Sequence, residues 1–301
     1  MVTRNDVARH AGVSVAVVSY VINNKPNVKE STRQKVMQAI EELGYKPNLT
    51  ARSLRTKKTN QLGVLVNNLG DPFETGILLG LERKARTNDQ FLFIQTYHRE
   101  EEEQLKNIFM GRTDGILLMG QSLQPETISY FTKTGVPIYS ITKPVKEHLS
   151  VHSVDIDWYA AMVKLIRHLR DFGHTHIGFM ANEMQERHHH VRYLGFLKAM
   201  EDAGLPFSEE HLIYGRGTLE SAYDVMKKRL ALEKELPFTA MICANDLMAV
   251  GVLSACRDDG IDVPGQLSVA GCEDILMASH TLPALTTIHY PRPEIGSIAV
   301  E

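Results

Sequence analysis

Carboxylates, a guanidinium and an amide recur in this 301-residue chain beside or after runs of apolar residues: Asp71, Asp155 and Asp157, Arg192, Asn245 with Asp246, and Glu273. Groups of these types hydrogen-bond to a small polar molecule but do not by themselves attack one. No side chain stands in a nucleophile–base pattern, so neither a catalytic residue nor an enzyme activity is expected. Arg187-His188-His189-His190 suggests zinc at first sight. Adjacent histidines cannot all point at one ion, however, and no Cys or Glu partner has suitable spacing, so the segment reads as the rim of a pocket and no metal is expected. Gly215-Arg216-Gly217 is too short for a phosphate loop, and the glycine-rich loop a dinucleotide oxidoreductase needs is missing; no cofactor is expected.

A second chemistry is electrostatic. Residues 1–60 carry eleven Lys and Arg against four acids, whereas the rest of the chain carries 22 against 32. The overall formal charge of -3 hides this division. A basic head on an acidic body is what phosphate binding by the head alone would produce. A solvated linker would account for Lys57 and Lys58 alone, but not for the helical segments that precede them.

Those segments read as a small helical domain. A first helix carries Val7 and Ala11 one turn apart and is ended by Gly12, which takes the left-handed conformation without steric cost. Ser14 is placed to cap a second helix whose inner stripe is Val18, Val21 and Ile22. Two short helices around a tight turn, in a positively charged setting, form a helix-turn-helix that offers its second helix to a DNA groove. Val15, Ala16, Val17, Ser19 and Tyr20 are left on its outward side. After Asn24-Lys25-Pro26, residues 32–43 place Val36, Ile40 and Leu43 on one face of a third helix stopped by Gly44. Lys29 stands where a good N-cap for this helix is expected. A further turn or two of helix between Asn48 and Arg55 is too short to hold by itself in water.

From Gln61 onward apolar runs of strand length alternate with helical stretches: 62–66, 91–94, 115–119, 136–141, 177–180, 212–214, 240–244 and 267–272, with helices near 76–87, 100–109, 158–172, 191–203, 220–232 and 246–259. Such alternation gives parallel sheets covered on both faces, and the length suits two of them. The fold class is therefore an all-α helix-turn-helix head followed by a bilobed α/β core of two parallel sheets. In sheets of this kind ligands bind at the carboxyl ends of strands and between lobes, where the polar residues named above fall.

Residues 2–60 resemble the DNA-binding head and hinge of the LacI/GalR family of bacterial transcriptional regulators. The resemblance is carried by Asp6-Val7-Ala8, Ala11-Gly12-Val13-Ser14, Val18-Ser19, Val21-Ile22-Asn23, Leu43-Gly44-Tyr45, Pro47-Asn48 and Ala51-Arg52-Ser53-Leu54. It implies a homodimer on a palindromic double-stranded operator, with the two hinge segments folding in the minor groove. Leu54 would then wedge between base steps, with Arg52 and Arg55 near the backbone. The residues placed at DNA are Ser14, Val15, Ala16, Val17, Ser19, Tyr20, Asn23, Tyr45, Asn48, Arg52, Leu54 and Arg55. The resemblance also implies a periplasmic-binding-protein-like core with a small-molecule effector between its lobes. By position that pocket takes Phe73 as aromatic platform, Arg192, Asn245, and the carboxylates Asp157, Asp246 and Glu273, to hydrogen-bond the hydroxyls of a sugar or, alternatively, a nucleobase. Glu273 stands where an aspartate is common, and no aromatic lies near Gly217-Thr218 where relatives often have one.

The expected division is 1–46 for the helix-turn-helix domain, 47–60 for hinge and linker, 61–160 for the first lobe and 161–288 for the second. Residues after 290 should return to complete the first lobe. Ile295 and Ile298 suit one helical face there, and the sequence reads as stopping inside that helix. A polar, charged N-terminus without an apolar stretch, and no run approaching a membrane span, lead to the expectation of a cytoplasmic protein without membrane contact. Cys243, Cys256 and Cys272 sit in or beside apolar segments and read as reduced core thiols.

Overall fold

The computed structural model describes residues 2–46, 53, 56, 58–142, 151–182, 187–233 and 235–301, the side chains of 187–189 excepted. The chain divides into two compact units, Met1–Thr59 and Asn60–Glu301.

In the first unit α1 (Arg4–Ala11), α2 (Val15–Ile22) and α3 (Glu30–Glu42) surround a core of Val7, Ala8, Val18, Val21, Val36, Ala39 and Tyr45. The inner residue of α1 beside Val7 is Ala8, and Ala11 is only half-buried. Thr3 and Asp6 cap α1 reciprocally: the Thr3 hydroxyl oxygen accepts from the Asp6 amide at 3.3 Å, and the Asp6 carboxylate accepts from the Thr3 amide at 2.9 Å. Gly12 adopts φ 65°, and Ser14 Oγ accepts from the Val17 amide at 3.4 Å. α3 begins at Lys29 with no side-chain cap.

The second unit holds two five-stranded sheets. In the first, β1 (Gln61–Val66), β2 (Phe91–Thr96), β3 (Gly115–Met119), β4 (Ile138–Ile141) and β5 (His152–Val154) lie in the order β2-β1-β3-β4-β5. In the second, β6 (Ile177–Ala181), β7 (Leu212–Tyr214), β8 (Ala240–Cys243), β9 (Ser268–Glu273) and β10 (Thr286–His289) lie in the order β10-β9-β8-β6-β7. All pairings are parallel. The connecting helices are α4 (Pro72–Thr87), α5 (Glu102–Phe109), α6 (Pro125–Lys133), α7 (Trp158–Asp171), α8 (Arg187–Asp202), α9 (Leu219–Leu232) and α10 (Asp246–Asp258). Strands β5 and β10 and helix α6 lie outside the periodicities read from sequence. β5 has only three residues, of which His152 and Ser153 are exposed, and α6 follows a proline at its first position.

After β10 the chain returns to the first lobe as α11 (Arg292–Val300), which packs along α4. The backbones meet at two glycines. A Cβ on Gly80 would sit 2.2 Å from the Pro293 carbonyl oxygen, and one on Gly296 would sit 2.4 Å from that of Ile77. The first lobe is thus covered by α11. Ile295 is buried in the contact but Ile298 is half exposed, so the two do not share the covered face expected for them. No helix among the described residues is long and apolar enough to cross a membrane.

Candidate functional site

The strands of both sheets end in polar residues that converge on one cleft. Just past β1, the amides of Asn67 and Asn68 donate to the Glu74 carboxylate, each at 3.0 Å, and Asn67 Nδ2 does so at 2.7 Å. Glu74 lies in the first turn of α4, where the helix dipole favours a negative charge. It is 6% exposed, and burial pushes its carboxyl up to about 7. Asp71 caps the same helix by accepting from the Phe73 amide at 2.8 Å, and burial raises its pKa.

The second lobe supplies the facing wall. Arg192, on α8, is 4% exposed; its Nη1 donates to Glu273 Oε1 at 2.7 Å and to the Ala244 carbonyl. Its guanidinium lies 4.3 Å from the ring centroid of Trp158 and 5.3 Å from that of Phe73. Glu273 ends β9 and is equally buried, and burial raises its carboxyl against the pull of Arg192. Asn245 caps α10 through the Met248 amide at 2.8 Å and donates from Nδ2 to the Gly217 carbonyl at 2.9 Å. The two lobes enclose a cavity of about 260 Å³ lined by, among others, Asn67, Asp71, Phe73, Glu74, Trp158, Asn182, Arg192, Arg216, Asn245 and Glu273. Hydrogen-bonding groups dominate this lining, and among the described residues no nucleophile is paired with a base in it.

Four of the six side chains expected at the pocket therefore meet in one cavity: Phe73, Arg192, Asn245 and Glu273. Two do not. Asp157 is exposed and serves as the N-cap of α7, accepting from the Ala160 amide at 3.0 Å. Its neighbour Asp155 is instead bonded behind the cavity wall, its carboxylate accepting from Trp158 Nε1 and from the Tyr290 hydroxyl, both at 3.1 Å. Asp246 is fully buried and ties the second sheet together, accepting from the Thr287 hydroxyl at 2.6 Å and the Ile275 amide at 2.9 Å. Sequence reasoning missed Asn67, Asn68, Glu74, Trp158, Asn182 and Arg216. Position was the available signal, since Asn67 directly follows β1 and Asn182 directly follows β6.

In the head, Val15, Ala16 and Tyr20 lie exposed on α2, and Val17 and Ser19 are half-buried. Asn23 is exposed at the end of the helix, and its Nδ2 donates to the Ser19 carbonyl at 2.7 Å. Tyr45 belongs to the head's core at 8% exposure, its hydroxyl accepting from Arg4 Nε at 3.3 Å. Asn48, Arg52, Leu54 and Arg55 fall outside the described residues. Among the described residues no group of three or more His, Cys, Asp or Glu side chains could hold a metal ion. The side chains of His188 and His189 lie outside that set.

The family model for bacterial regulatory proteins of the lacI family matches residues 3–48, and that for a periplasmic binding protein-like domain matches residues 166–301. The transcriptional repressor PurR of Actinobacillus pleuropneumoniae is 33% identical over 299 residues, covering 98% of this chain and 88% of that protein. Among solved structures, the lac repressor dimer bound to operator and the anti-inducer ONPF superposes with a TM-score of 0.86 at 25% identity, covering 99% of this chain and 90% of that one. A complex of the transcriptional regulator CelR with cellobiose gives a TM-score of 0.72 at 28% identity, covering 100% and 91%.

Proposed function

Because the chain belongs to the LacI family of bacterial regulatory proteins, which are DNA-binding regulators of transcription, we propose that it is a sequence-specific repressor acting in the cytoplasm. It binds a palindromic operator as a homodimer, and its affinity is set by a small polyhydroxylated effector, a sugar, held between the core lobes. One observation carries the effector reading: amides, carboxylates and a guanidinium from both lobes converge on a single cavity of about 260 Å³. Trp158 and Phe73 are 4% and 7% exposed, which leaves little ring face for a nucleobase to stack upon. Hydroxyl recognition therefore suits this lining better than base recognition.

The proposed switch is a change in the angle between the lobes that alters the separation of the two hinge segments of the dimer. A joint as short as 47–60 is marginal alone, so a small change decides whether Leu54 can wedge. Fluorescence anisotropy of labelled duplexes at fixed salt, with and without a panel of mono- and disaccharides and nucleobases, tests this. Trp158 is the chain's single tryptophan and lines the cavity, so its emission reports occupancy directly. A sugar that changes both Trp158 emission and operator affinity supports the reading. Response to a nucleobase alone overturns the sugar, and an operator affinity indifferent to every ligand that occupies the cavity overturns the switch. Leu54→Ala should weaken binding to the selected operator far more than to random duplex; equal losses reject the wedge.

A further inference from the structure

The helix offered to the DNA groove carries no side chain that can read a base by paired hydrogen bonds. α2 reads Val-Ala-Val-Val-Ser-Tyr-Val-Ile, with neither a guanidinium nor an ammonium nor a carboxamide. Val15 is 41% exposed and Tyr20 45%, and Ala16 lies beside them in the first turn. Polar groups at the ends of the helix are engaged by the head itself. Ser14 Oγ accepts from the Val17 amide, and Asn23 Nδ2 donates to the Ser19 carbonyl. The neighbouring Arg33 donates to Asn24 Oδ1 at 3.0 Å and to the Lys25 carbonyl at 2.8 Å, bracing the turn after α2.

Guanine is selected in the major groove by a bidentate Arg or Lys, and adenine by a bidentate Asn or Gln; thymine alone presents an apolar group there, its C5 methyl. We propose that this regulator reads its operator through thymine methyls. Val15 and Ala16, entering the groove first as the N-terminal residues of a recognition helix do, cover those methyls, and the Tyr20 ring extends the apolar surface. Base selection under α2 rests on apolar contact, while affinity comes from the head's cations on phosphate. The pairs facing α2 are accordingly A·T pairs with their methyls turned toward Val15 and Ala16. This inference rests on the DNA-binding reading above and narrows it to a chemical class of site.

The test replaces atoms in the DNA rather than in the protein. Duplexes selected from a random library by the 301-residue chain are resynthesised with deoxyuridine in place of thymidine, which removes the C5 methyl and keeps every hydrogen-bonding group. Affinity should fall about fourfold for each covered methyl, the worth of one buried methyl-sized group. The same replacement at pairs away from α2 should leave affinity unchanged, and Val15→Ser should shrink the thymine-over-uracil preference. Uracil duplexes bound as tightly as thymine ones, or selected sites with G·C pairs fixed under α2, would overturn the methyl readout while leaving DNA binding intact. Absence of salt-sensitive binding to any duplex would instead remove the DNA-binding reading on which it stands.

Discussion

Replacing Arg192 by Met removes a cation buried against Glu273, and the consequences can be worked through from the contacts. Both side chains are 5% exposed and meet at 2.7 Å. Taking away one partner of a buried pair costs about 3–5 kcal/mol when the other stays charged. Glu273 has a second option, because burial already raises its carboxyl. In the native protein burial already holds this carboxyl at about 8 beside Arg192. Without Arg192 the rise is larger, so above pH 8 the native folded state ionises Glu273 while the variant's keeps its proton. The loss relative to the native protein is therefore level below pH 8 and grows as pH climbs past that value. At pH 5 it is the contact of the guanidinium with Trp158 and its hydrogen bond to the Ala244 carbonyl, together about 1–3 kcal/mol. Near pH 9.5 it should approach about 3–5 kcal/mol. Urea denaturation followed by circular dichroism at both pH values measures the difference. Arg192→Met combined with Glu273→Gln should recover stability near pH 9.5 and flatten the pH response, with the cavity still unable to hold its effector. A loss in Arg192→Met equal at pH 5 and pH 9.5, or a double variant as unstable as the two single losses summed, would refute the reasoning.

Three further outcomes follow from other contacts. Glu74 titrates at about 7 when folded, so between the ordinary glutamate value and pH 7 the folded state holds the extra proton and stability falls with rising pH, by up to ~3 kcal/mol; Glu74→Gln should remove that slope in urea midpoints compared at pH 5 and pH 7.5. Lys29→Ser supplies the side-chain cap that α3 lacks and should raise the protection of α3 amides in hydrogen exchange by an amount equivalent to about 1 kcal/mol. Gly80→Ala puts a methyl 2.2 Å from the Pro293 carbonyl oxygen, and forcing α11 from α4 should cost about 1–3 kcal/mol in a thermal melt of the core. An unchanged melt would mean that the helices part without penalty.

What the sequence made legible was local. The head could be read because Gly12 and Ser14 act on their own neighbours: one takes φ 65° and the other caps the helix it precedes. The long buried strands could be read because β3, for example, is buried at every position, which in a parallel sheet produces a continuous apolar run. Strand β5 left no such trace, since its first two residues are exposed and its place depends on pairing with β4. The pocket divided on the same line. Arg192, Asn245 and Glu273 follow from the rule that ligands sit at strand ends. Asp155 and Asp157 are equally close to such an end, and what separates them is the hydroxyl of Tyr290, which reaches Asp155 from 135 residues away. Asp246 was assigned to the pocket on position, yet Thr287 and Ile275 claim it from 41 and 29 residues further along. Partnerships of that range leave no periodicity in a single sequence.

The same partnerships explain how a small effector could control something as large as a lobe. Each carboxylate lining the cleft is already held: Asp71 by the Phe73 amide, Glu74 by three donors from Asn67 and Asn68, and Glu273 by Arg192; beside them Asp155 is held by Trp158, Tyr290 and the Ile156 amide. Walls fixed in advance spend little entropy on a ligand. Asp71 and Glu74 come from the first lobe; Arg192, Asn245 and Glu273 come from the second. A molecule that hydrogen-bonds to both sets gains its full affinity at only one separation of the lobes, and that difference in affinity between separations is the whole of the free energy available to shift the conformation.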